Sequence, residues 1–382
     1  MKCSGVNVAT GQPVSVEFDQ MIREVRPVEE AGLEGAEVDT DVWIAPGFVD
    51  IQVNGFAGID FNNPQASLDD ISKALEMILS TGVTRCLPTV ITGGPDEMVA
   101  CLRNLRRAQL EVPHRQAIAG FHVEGPFIGP EDGPRGAHPH KWVRPPSLFE
   151  YQRWQEATEG NIRLVTVSPH WPEAADWISR VVKDGVAVSI GHTGASAAEI
   201  SAAVDAGATL STHLGNGAHV VMRRHPNYLW DQLAEDRLSA SFIVDGIHLG
   251  SAFLRTALRA KTVQRTVLVT DASAPAGAAP GRYHLGEAEA DYLPDGRVVL
   301  AGTDKLAGSG LKMNHGVANM VHLGGITLRD AVQTATVNPA RIIQLEGRMR
   351  GLQEGERGDV VLFRMNATVE VVAVYLDGEL VG

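Results

Sequence analysis

Four apolar stretches of this chain each end on a side chain that can bind a metal ion or transfer a proton. Three of them lead to Glu124, His192 and His213, and the fourth leads to Asp271. Side chains at the carboxyl ends of parallel strands converge on one mouth of a (β/α)₈ barrel, where such barrels keep their chemistry. One Glu and two His can hold a divalent metal and leave a position for water, while a nearby Asp moves protons. The pattern therefore predicts a hydrolase.

The middle of the chain alternates strand and helix signals, which is typical of parallel sheets whose strands are joined by helices. Eight segments carry strand signals, and eight is the number that closes such a barrel. They are Val49–Val53, Val83–Ile91, Ala117–Val123, Arg163–Ser168, Val186–Ile190, Ala208–Thr212, Ala240–Val244 and Thr266–Thr270. We therefore predict an α/β fold with a (β/α)₈ barrel at its centre.

Helix starts are visible between these strands. Capping boxes at Ser67–Asp70 and Ser196–Glu199 each predict a helix N-terminus, and two more helices are predicted over Leu311–Leu323 and Leu328–Thr336. The stretch Ser273–Gly310 interrupts the alternation, because it is rich in Ala, Pro and Gly and contains a predicted hairpin at a Pro-Asp-Gly turn. We expect a loop there that is shaped around a substrate.

Both ends of the chain carry short β segments without the helical alternation. These segments are Val6–Ala9, Val14–Phe18, Val38 to Ile44, Asp359–Phe363 and Val369–Val374, the last followed by a turn at Asp377–Gly378. We expect one small β domain built from both ends of the chain.

The overall charge restricts the partners of this protein. Its 33 Lys and Arg against 46 Asp and Glu give a net charge of −13. Such a surface repels phosphate backbones, so neither nucleic acid nor an anionic membrane is an expected partner, and an anionic substrate would need a local Arg or His cluster. The cysteines Cys3, Cys86 and Cys101 lack metal-ligand spacing and indicate a reduced compartment. No signal-peptide core or run of ~20 apolar residues occurs, so we expect a soluble cytoplasmic protein.

Each candidate site residue also has a plain structural interpretation. Glu124 could be a solvated loop carboxylate, and Asp271 could cap a following helix. A lone histidine after a strand is more often structural. Two of them, His192 and His213, lie one strand–helix unit apart, and a shared ligand explains that pair better.

Five motifs in a fixed order, HVEGPF, GHT, THLGN, DGIHL and LVTDASAPAG, resemble the N-acetylglucosamine-6-phosphate deacetylases of the amidohydrolase superfamily. APGFVDIQVNG, ATVNPAR and GERGDVVLF extend the resemblance over nearly the whole chain. It implies a (β/α)₈ TIM-like barrel, which we place over residues 48–350, and a small β-sandwich over residues 1–47 and 351–382. The implied reaction is metal-dependent hydrolysis of the acetamide of N-acetyl-D-glucosamine 6-phosphate to D-glucosamine 6-phosphate and acetate.

The resemblance also implies roles for individual residues. The metal ligands would be Glu124, His192 and His213, and the catalytic residues would be Asp271, as general acid/base, and His138, which helps to polarise the acetyl carbonyl. The implied substrate-binding residues are His248, Asn216, Gly217, Ala137, Gln52, Asn54, Ala307, Gly308, Ser309 and Arg224. In this family such an arginine reaches the phosphate from the neighbouring subunit, which implies a homodimer.

The expected cofactor is one divalent metal per subunit. Superfamily members with two metals carry His-x-His at the first strand, whereas this chain has Gln52 and Asn54 at those places. We expect Zn²⁺ first, but the same ligands accept Fe²⁺, Mn²⁺ or Co²⁺.

Two loops depart from the family pattern and leave the substrate open. They are GAHVVMRRHPNYLW, from Gly217 to Trp230, and EDGPRGAHPHKWV, around His138. A galactosamine isomer, an unphosphorylated sugar or another N-acyl compound is therefore an alternative substrate, and Arg223 competes with Arg224 for the phosphate. A non-catalytic barrel relative is a third hypothesis, but its signature would be loss of Asp271 or of a metal ligand, and all are present.

Overall fold

The computed structural model describes residues 1–28 and 39–382, and a barrel of eight parallel strands forms its centre. In chain order, the first to eighth barrel strands are Phe48–Val53, Val83–Ile91, Phe121–Glu124, Ile162–Val167, Ala187–Ile190, Leu210–Ser211, Ser239–Ile243 and Thr266–Val269. Each strand pairs in parallel with the next. The ring closes where the Asp271 N–H donates to the Gln52 carbonyl at 3.0 Å and the Asn54 N–H donates to the Ala272 carbonyl at 2.7 Å. The predicted barrel is confirmed.

The interior of the barrel is filled by apolar side chains, as this fold requires. Leu87, Leu164 and Leu210 belong to one buried cluster, although they come from the second, fourth and sixth strands, which are not neighbours in the sheet. Side chains from non-adjacent strands can meet only across the inside of the barrel. The interior is therefore packed, and chemistry is confined to its mouth.

Helices cover the outside of the barrel. They span Leu68–Leu79, Pro95–Glu111, Leu148–Thr158, Ala174–Lys183, Ala197–Asp205, Tyr228–Ala234, Ser251–Lys261, Met313–His322, Leu328–Thr334 and Val337–Ile342, with short 3₁₀ turns at Arg115–Ala117, His140–Trp142 and Val263–Arg265. Ser67 caps the first helix, since its hydroxyl accepts the Asp70 N–H at 3.1 Å, and Ser196 forms a complete capping box with Glu199. Both predicted helix starts are confirmed.

A separate sheet of seven strands combines both ends of the chain. Its order is Glu379–Leu380, Val369–Leu376, Val360–Met365, Trp43–Pro46, Lys2–Asn7, Pro13–Phe18 and Ile22–Pro27. The rings of Phe18 and Tyr375 lie 5.0 Å apart, although three other strands lie between the strands that carry them in this order. The sheet therefore curls over its own core. The strand Ile22–Pro27 was not predicted, Val38 lies outside the described residues, and the exact domain bounds at 47/48 and 350/351 stay a prediction.

Between the eighth barrel strand and helix Met313–His322, the chain forms a three-stranded antiparallel sheet, which we call the small sheet. Its strands are Gly281–Leu285, Ala288–Tyr292 and Val298–Leu300. The hairpin at Pro294–Gly296 joins the last two, as predicted, but the strand Gly281–Leu285 was not predicted.

Several predicted boundaries differ from those in the structure, and the largest difference in the barrel is at the third strand. The third barrel strand begins at Phe121 and not at Ala117, because Ala117 ends a 3₁₀ turn and Gly120 takes a φ of 142° before the strand starts. The helix predicted from Leu311 begins at Met313. Among the described residues, the helices are all too short or too polar to cross a membrane.

A buried charge cluster joins the terminal sheet to the barrel. Arg85, in the second barrel strand, contacts both carboxylate oxygens of Asp359, at 2.7 and 3.0 Å. Arg348 also pairs with Asp359, and the three side chains are at most 6% exposed. Removing one partner from such a cluster leaves a buried charge uncompensated, which is strongly destabilising.

We expect Asp359→Asn to lower the free energy of unfolding by about 3–5 kcal/mol, because the buried Arg348 loses its carboxylate partner and Arg85 keeps only Asp377. Denaturant unfolding followed by circular dichroism would measure the change. Asp205→Asn is the control, since Asp205 pairs with Arg237 at 2.7 Å on the surface, where ion pairs contribute little. Equal unfolding midpoints for the two variants would show that the cluster does not stabilise the fold.

Candidate active site

The four residues singled out at strand ends all lie at the carboxyl end of the barrel. Glu124 is the last residue of its strand, and His192, His213 and Asp271 each follow a strand by two positions. These last three have left-handed φ angles of 51°, 27° and 50°. Residues other than Gly rarely adopt such angles, and backbone strain of this kind clusters at functional sites. The chain thus turns sharply as it leaves each strand.

Glu124, His192 and His213 present three ligand atoms to one point. Oε1 of Glu124 lies 2.9 Å from Nε2 of His213 and 3.2 Å from Nε2 of His192, and the two Nε2 atoms are 3.1 Å apart. Nδ1 of His192 faces the Pro134 carbonyl at 2.8 Å, so it carries the proton and leaves the Nε2 lone pair directed at the site. Two histidine nitrogens and a carboxylate oxygen, all buried, fit a divalent metal.

The charges of this group favour a bound cation. Burial opposes ionisation of Glu124, but the close contacts with His192 and His213 outweigh it and hold the pKa of the carboxyl well below its usual range. Burial would lower the pKa of His213, yet the Glu124 carboxylate raises it. Glu124 is therefore kept as a carboxylate, the form that binds metals, and a cation would take the place of the proton attracted to His213.

Two amides fix one oxygen of Asp271. The side-chain N–H groups of Gln52 and Asn54 donate to Oδ1 of Asp271 at 3.1 and 2.7 Å, and Gln52 also donates to Oε1 of Glu124 at 2.9 Å. Both amides present donors to these carboxylates, which is the wrong polarity for a metal ligand. Burial, followed by the charge of Glu124, raises the pKa of Asp271 to about 6. A carboxyl that titrates near neutral pH suits proton transfer.

Two further histidines border the same space. His138 has Nδ1 2.8 Å from the Thr92 hydroxyl, and burial, with a contribution from His192, lowers its pKa to about 3. The ring is therefore neutral, and if Nδ1 accepts the Thr92 proton then Nε2 carries a hydrogen that it can donate. Nδ1 of His248 lies 2.6 Å from a carboxylate oxygen of Asp245, which fixes the orientation of that ring.

The cavity at this mouth brings most of the predicted residues together. Eleven of them line it: Glu124, His192, His213, Asp271, His138, His248, Asn54, Ala137, Asn216, Gly217 and Gly308. Gln52 reaches the site through its two hydrogen bonds. Ala307 and Ser309 flank Gly308 but are buried at 1% exposure, and the Ser309 hydroxyl donates to the Thr270 carbonyl at 2.5 Å. These two residues support the cavity wall and do not line it.

The arginines considered for phosphate binding lie outside this cavity. Arg223 and Arg224 are exposed on the segment between the sixth barrel strand and helix Tyr228–Ala234. Within residues 1–28 and 39–382, neither side chain forms an ion pair or a hydrogen bond. Arg224 therefore does not reach the cavity of its own subunit, and its predicted contact with the site of a neighbouring subunit stays a prediction.

Sequence reasoning missed the apolar part of the cavity. Ile91, Ile243, Leu285 and Leu306 line it as well, and two of these come from the small sheet and the segment that follows it. Thr92 was also missed, although a polar residue directly after the apolar second strand is the same signal that identified the metal ligands. The Pro134 carbonyl gives no sequence signal, because any residue could supply it.

Comparisons with known proteins agree with this geometry. Residues 43–381 match the model of the Amidohydrolase family. The N-acetylglucosamine-6-phosphate deacetylase of Bos taurus is 36% identical over 88% of this chain and 83% of its own length. The N-acetylgalactosamine-6-phosphate deacetylase of Escherichia coli O157:H7 is 29% identical over 95% of this chain and 93% of its own. The crystal structure of N-acetyl-D-glucosamine-6-phosphate deacetylase from Mycobacterium smegmatis has a TM-score of 0.90 and 30% identity, and it covers 100% of both chains.

We expect purified protein to contain about one tightly held divalent ion per chain, and His192→Ala or His213→Ala to lose it, because each change removes one of three ligands. Elemental analysis by mass spectrometry would measure the content. His170→Ala is the control, since His170 lies 2.6 Å from Ser168 and outside the ligand cluster. Full metal content in the His192 and His213 variants would contradict the ligand assignment.

Proposed function

The chain belongs to the N-acetylglucosamine-6-phosphate deacetylases of the amidohydrolase family, and from this premise we propose that it hydrolyses the acetamide of N-acetyl-D-glucosamine 6-phosphate. The products are D-glucosamine 6-phosphate and acetate. One observation carries the proposal beyond family membership. A buried carboxylate, Asp271, borders the same cavity as the three-residue ligand cluster, which is the combination that metal-assisted hydrolysis requires.

Glu124, His192 and His213 would hold one divalent ion per subunit. Zn²⁺ is the first candidate for this ligand set, and Fe²⁺, Mn²⁺ and Co²⁺ suit it as well. Such an ion supplies Lewis-acid polarisation of the acetamide carbonyl and lowers the pKa of a water molecule that it binds. The amide N–H groups of Gln52 and Asn54 fill the places of a second ligand pair, which supports a single ion.

Asp271 transfers the proton in both halves of the proposed reaction. Its carboxylate accepts a proton from the attacking water and then delivers it to the amine nitrogen as the C–N bond breaks. Gln52 and Asn54 hold one of its oxygens. The carboxylate is thereby oriented for the transfer.

His138 stabilises the oxyanion that develops on the acetyl carbonyl. Its neutral ring, with Nδ1 held by Thr92, presents an Nε2–H donor to the cavity. A preorganised donor of this kind is worth about 3–4 kcal/mol of transition-state stabilisation.

We assign the sugar to the side of the barrel mouth that follows the sixth and seventh strands. His248, Asn216 and Gly217 follow the seventh and sixth strands and line the cavity there. We assign the 6-phosphate to Arg224 of a partner subunit in a homodimer. Its exposed position supports this assignment, because the side chain is placed to meet another molecule. Three unpaired cysteines agree with a cytoplasmic location.

The galactosamine isomer is a second candidate substrate. The Escherichia coli relative that carries this name matches 95% of the chain, but at 29% identity against 36% for the glucosamine enzyme of Bos taurus. The higher identity favours the glucosamine isomer. A non-catalytic barrel is disfavoured, because Asp271 and the three ligands all meet in one cavity.

An amine-release assay on N-acetylglucosamine and N-acetylgalactosamine, each with and without the 6-phosphate, tests the proposal. We expect the highest kcat/KM for N-acetylglucosamine 6-phosphate. Arg224→Ala should raise KM for the phosphorylated sugar and leave the free sugar unaffected, because only the former loses an ion pair. Arg223→Ala is the matched comparison, and an effect confined to Arg223→Ala would assign the phosphate to Arg223. An Arg224→Ala effect on both sugars alike would mean that this residue only shapes its loop, and no turnover of any sugar phosphate would refute the deacetylase assignment.

The role of Asp271 is tested by Asp271→Asn, which keeps the shape and removes the titratable proton. Turnover should fall by about 10²–10⁴-fold, the usual size of a general acid/base contribution. For the unmodified protein, kcat/KM should decline as pH falls through the pKa of Asp271. This limb should lie at or below pH 6, since burial sets the pKa to about 6 and a nearby cation lowers it.

Asp60→Asn is the control for that pH profile. Asp60 is another buried carboxyl whose pKa is raised to about 6 by burial, but it does not line the cavity. The acidic limb should persist in Asp60→Asn and vanish in Asp271→Asn. A normal rate and an unchanged limb in Asp271→Asn would identify Asp271 as a structural residue.

A further inference from the structure

We propose that Ile91, Leu285 and Leu306, which we call the acyl wall, receive the methyl group of the substrate and restrict the enzyme to N-acyl groups as short as acetyl. The inference rests on the proposed function and extends it to the specificity for the acyl chain. All three residues line the cavity that also holds Glu124 and Asp271. Leu285 is the most enclosed, at 6% exposure.

The wall lies beside the reacting groups. Ile91 ends the second barrel strand, where it is the register partner of Glu124, and the next residue, Thr92, holds His138. Leu306 precedes Gly308 and Ser309, and the Ser309 N–H donates to the Asp271 carbonyl at 2.9 Å. The acyl wall therefore adjoins both His138, which polarises the carbonyl, and Asp271, which transfers the proton.

The arrangement around the barrel separates the acyl group from the sugar. Ile91 belongs to the second of eight strands, whereas Asn216 and Gly217 follow the sixth, which lies diametrically across the ring. If the sugar lies near the sixth and seventh strands, the acyl end of the amide points toward the second. The methyl group offers no hydrogen bond, and an apolar surface is the environment that stabilises it.

Contacts outside the cavity also hold the acyl wall in place. The Gly286 N–H, next to Leu285, donates to Asp60 at 2.7 Å. Glu287 accepts the Trp142 indole N–H at 2.8 Å and pairs with Lys141 at 2.6 Å. Because these contacts fix the strand end that carries Leu285, a longer acyl chain cannot easily displace it.

The test compares N-acetyl-, N-propionyl- and N-butyryl-D-glucosamine 6-phosphate by amine release in each protein. One methylene group changes kcat/KM by roughly 10–200-fold in an apolar pocket, so the unmodified enzyme should lose at least ~10-fold for each added methylene. Leu285→Ala should raise the ratio of kcat/KM for butyryl to that for acetyl by ~10-fold or more. Leu306→Ala should raise the same ratio.

Leu300→Ala is the matched control. Leu300 packs in the same apolar cluster as Leu285 and belongs to the small sheet, but it does not line the cavity. Its ratio should equal that of the unmodified enzyme. Because both rates in a ratio come from one sample, a partial loss of folded protein cancels, and the milder Leu285→Val replaces Leu285→Ala if the latter does not fold.

The outcomes distinguish failure of the acyl wall from failure of the proposed function. Unchanged ratios in Leu285→Ala and Leu306→Ala, or an equal change in Leu300→Ala, would overturn the acyl wall while the deacetylase function stands. Failure of the unmodified enzyme to release amine from the acetyl substrate would instead overturn the proposed function, and the acyl wall with it.

Discussion

A single buried oxygen, Oε1 of Glu124, lies within hydrogen-bond distance of side chains from three other strand ends. Gln52, His192 and His213 approach it at 2.9, 3.2 and 2.9 Å. An isolated carboxylate would be costly to bury, so it needs either these partners or a cation. Because these four side chains must meet, the ends of the first, third, fifth and sixth strands must lie close together. This requires a closed barrel. The geometry of the mouth thus depends on this one charge.

The same charge sets the behaviour of its neighbour. Asp271 shares Gln52 with Glu124, and two carboxylates so close cannot both ionise freely. Glu124 is held ionised by its histidines, so burial and then the charge of Glu124 raise the pKa of Asp271. Environments that push the pKa values of two carboxyls apart are a recurrent way to give one a fixed charge and the other a mobile proton. Here one cluster produces both roles.

The barrel and the convergence of Glu124, His192 and His213 could be predicted from the sequence for a physical reason. Parallel strands impose a common direction, so polar residues such as His192 and His213 at their ends must meet, whatever the loops do. The first strand of the small sheet, which carries Leu285, was not predicted, because its position depends on contacts such as Gly286 to Asp60, far apart in sequence. The start of the third strand was misplaced because the apolar run from Ala117 continues through a 3₁₀ turn, and hydrophobicity does not distinguish the two.

A protein with a net charge of −13 repels an anionic substrate, so cationic side chains must be placed where the substrate binds. The distribution of these side chains shows how this can be achieved. Arg135 donates to the His138 carbonyl and pairs with Asp132, and Lys305 pairs with the same Asp132, so these two cations are already engaged at the rim. Arg223 and Arg224 are left on the surface. A phosphate group attached to the sugar therefore needs cations from outside this cavity, and the proposed assignment to Arg224 of a partner subunit would supply one. Recognition of the charged end of the substrate is then separate from the chemistry at Asp271, and loops such as Gly217–Trp230 can vary without disturbing the metal ligands.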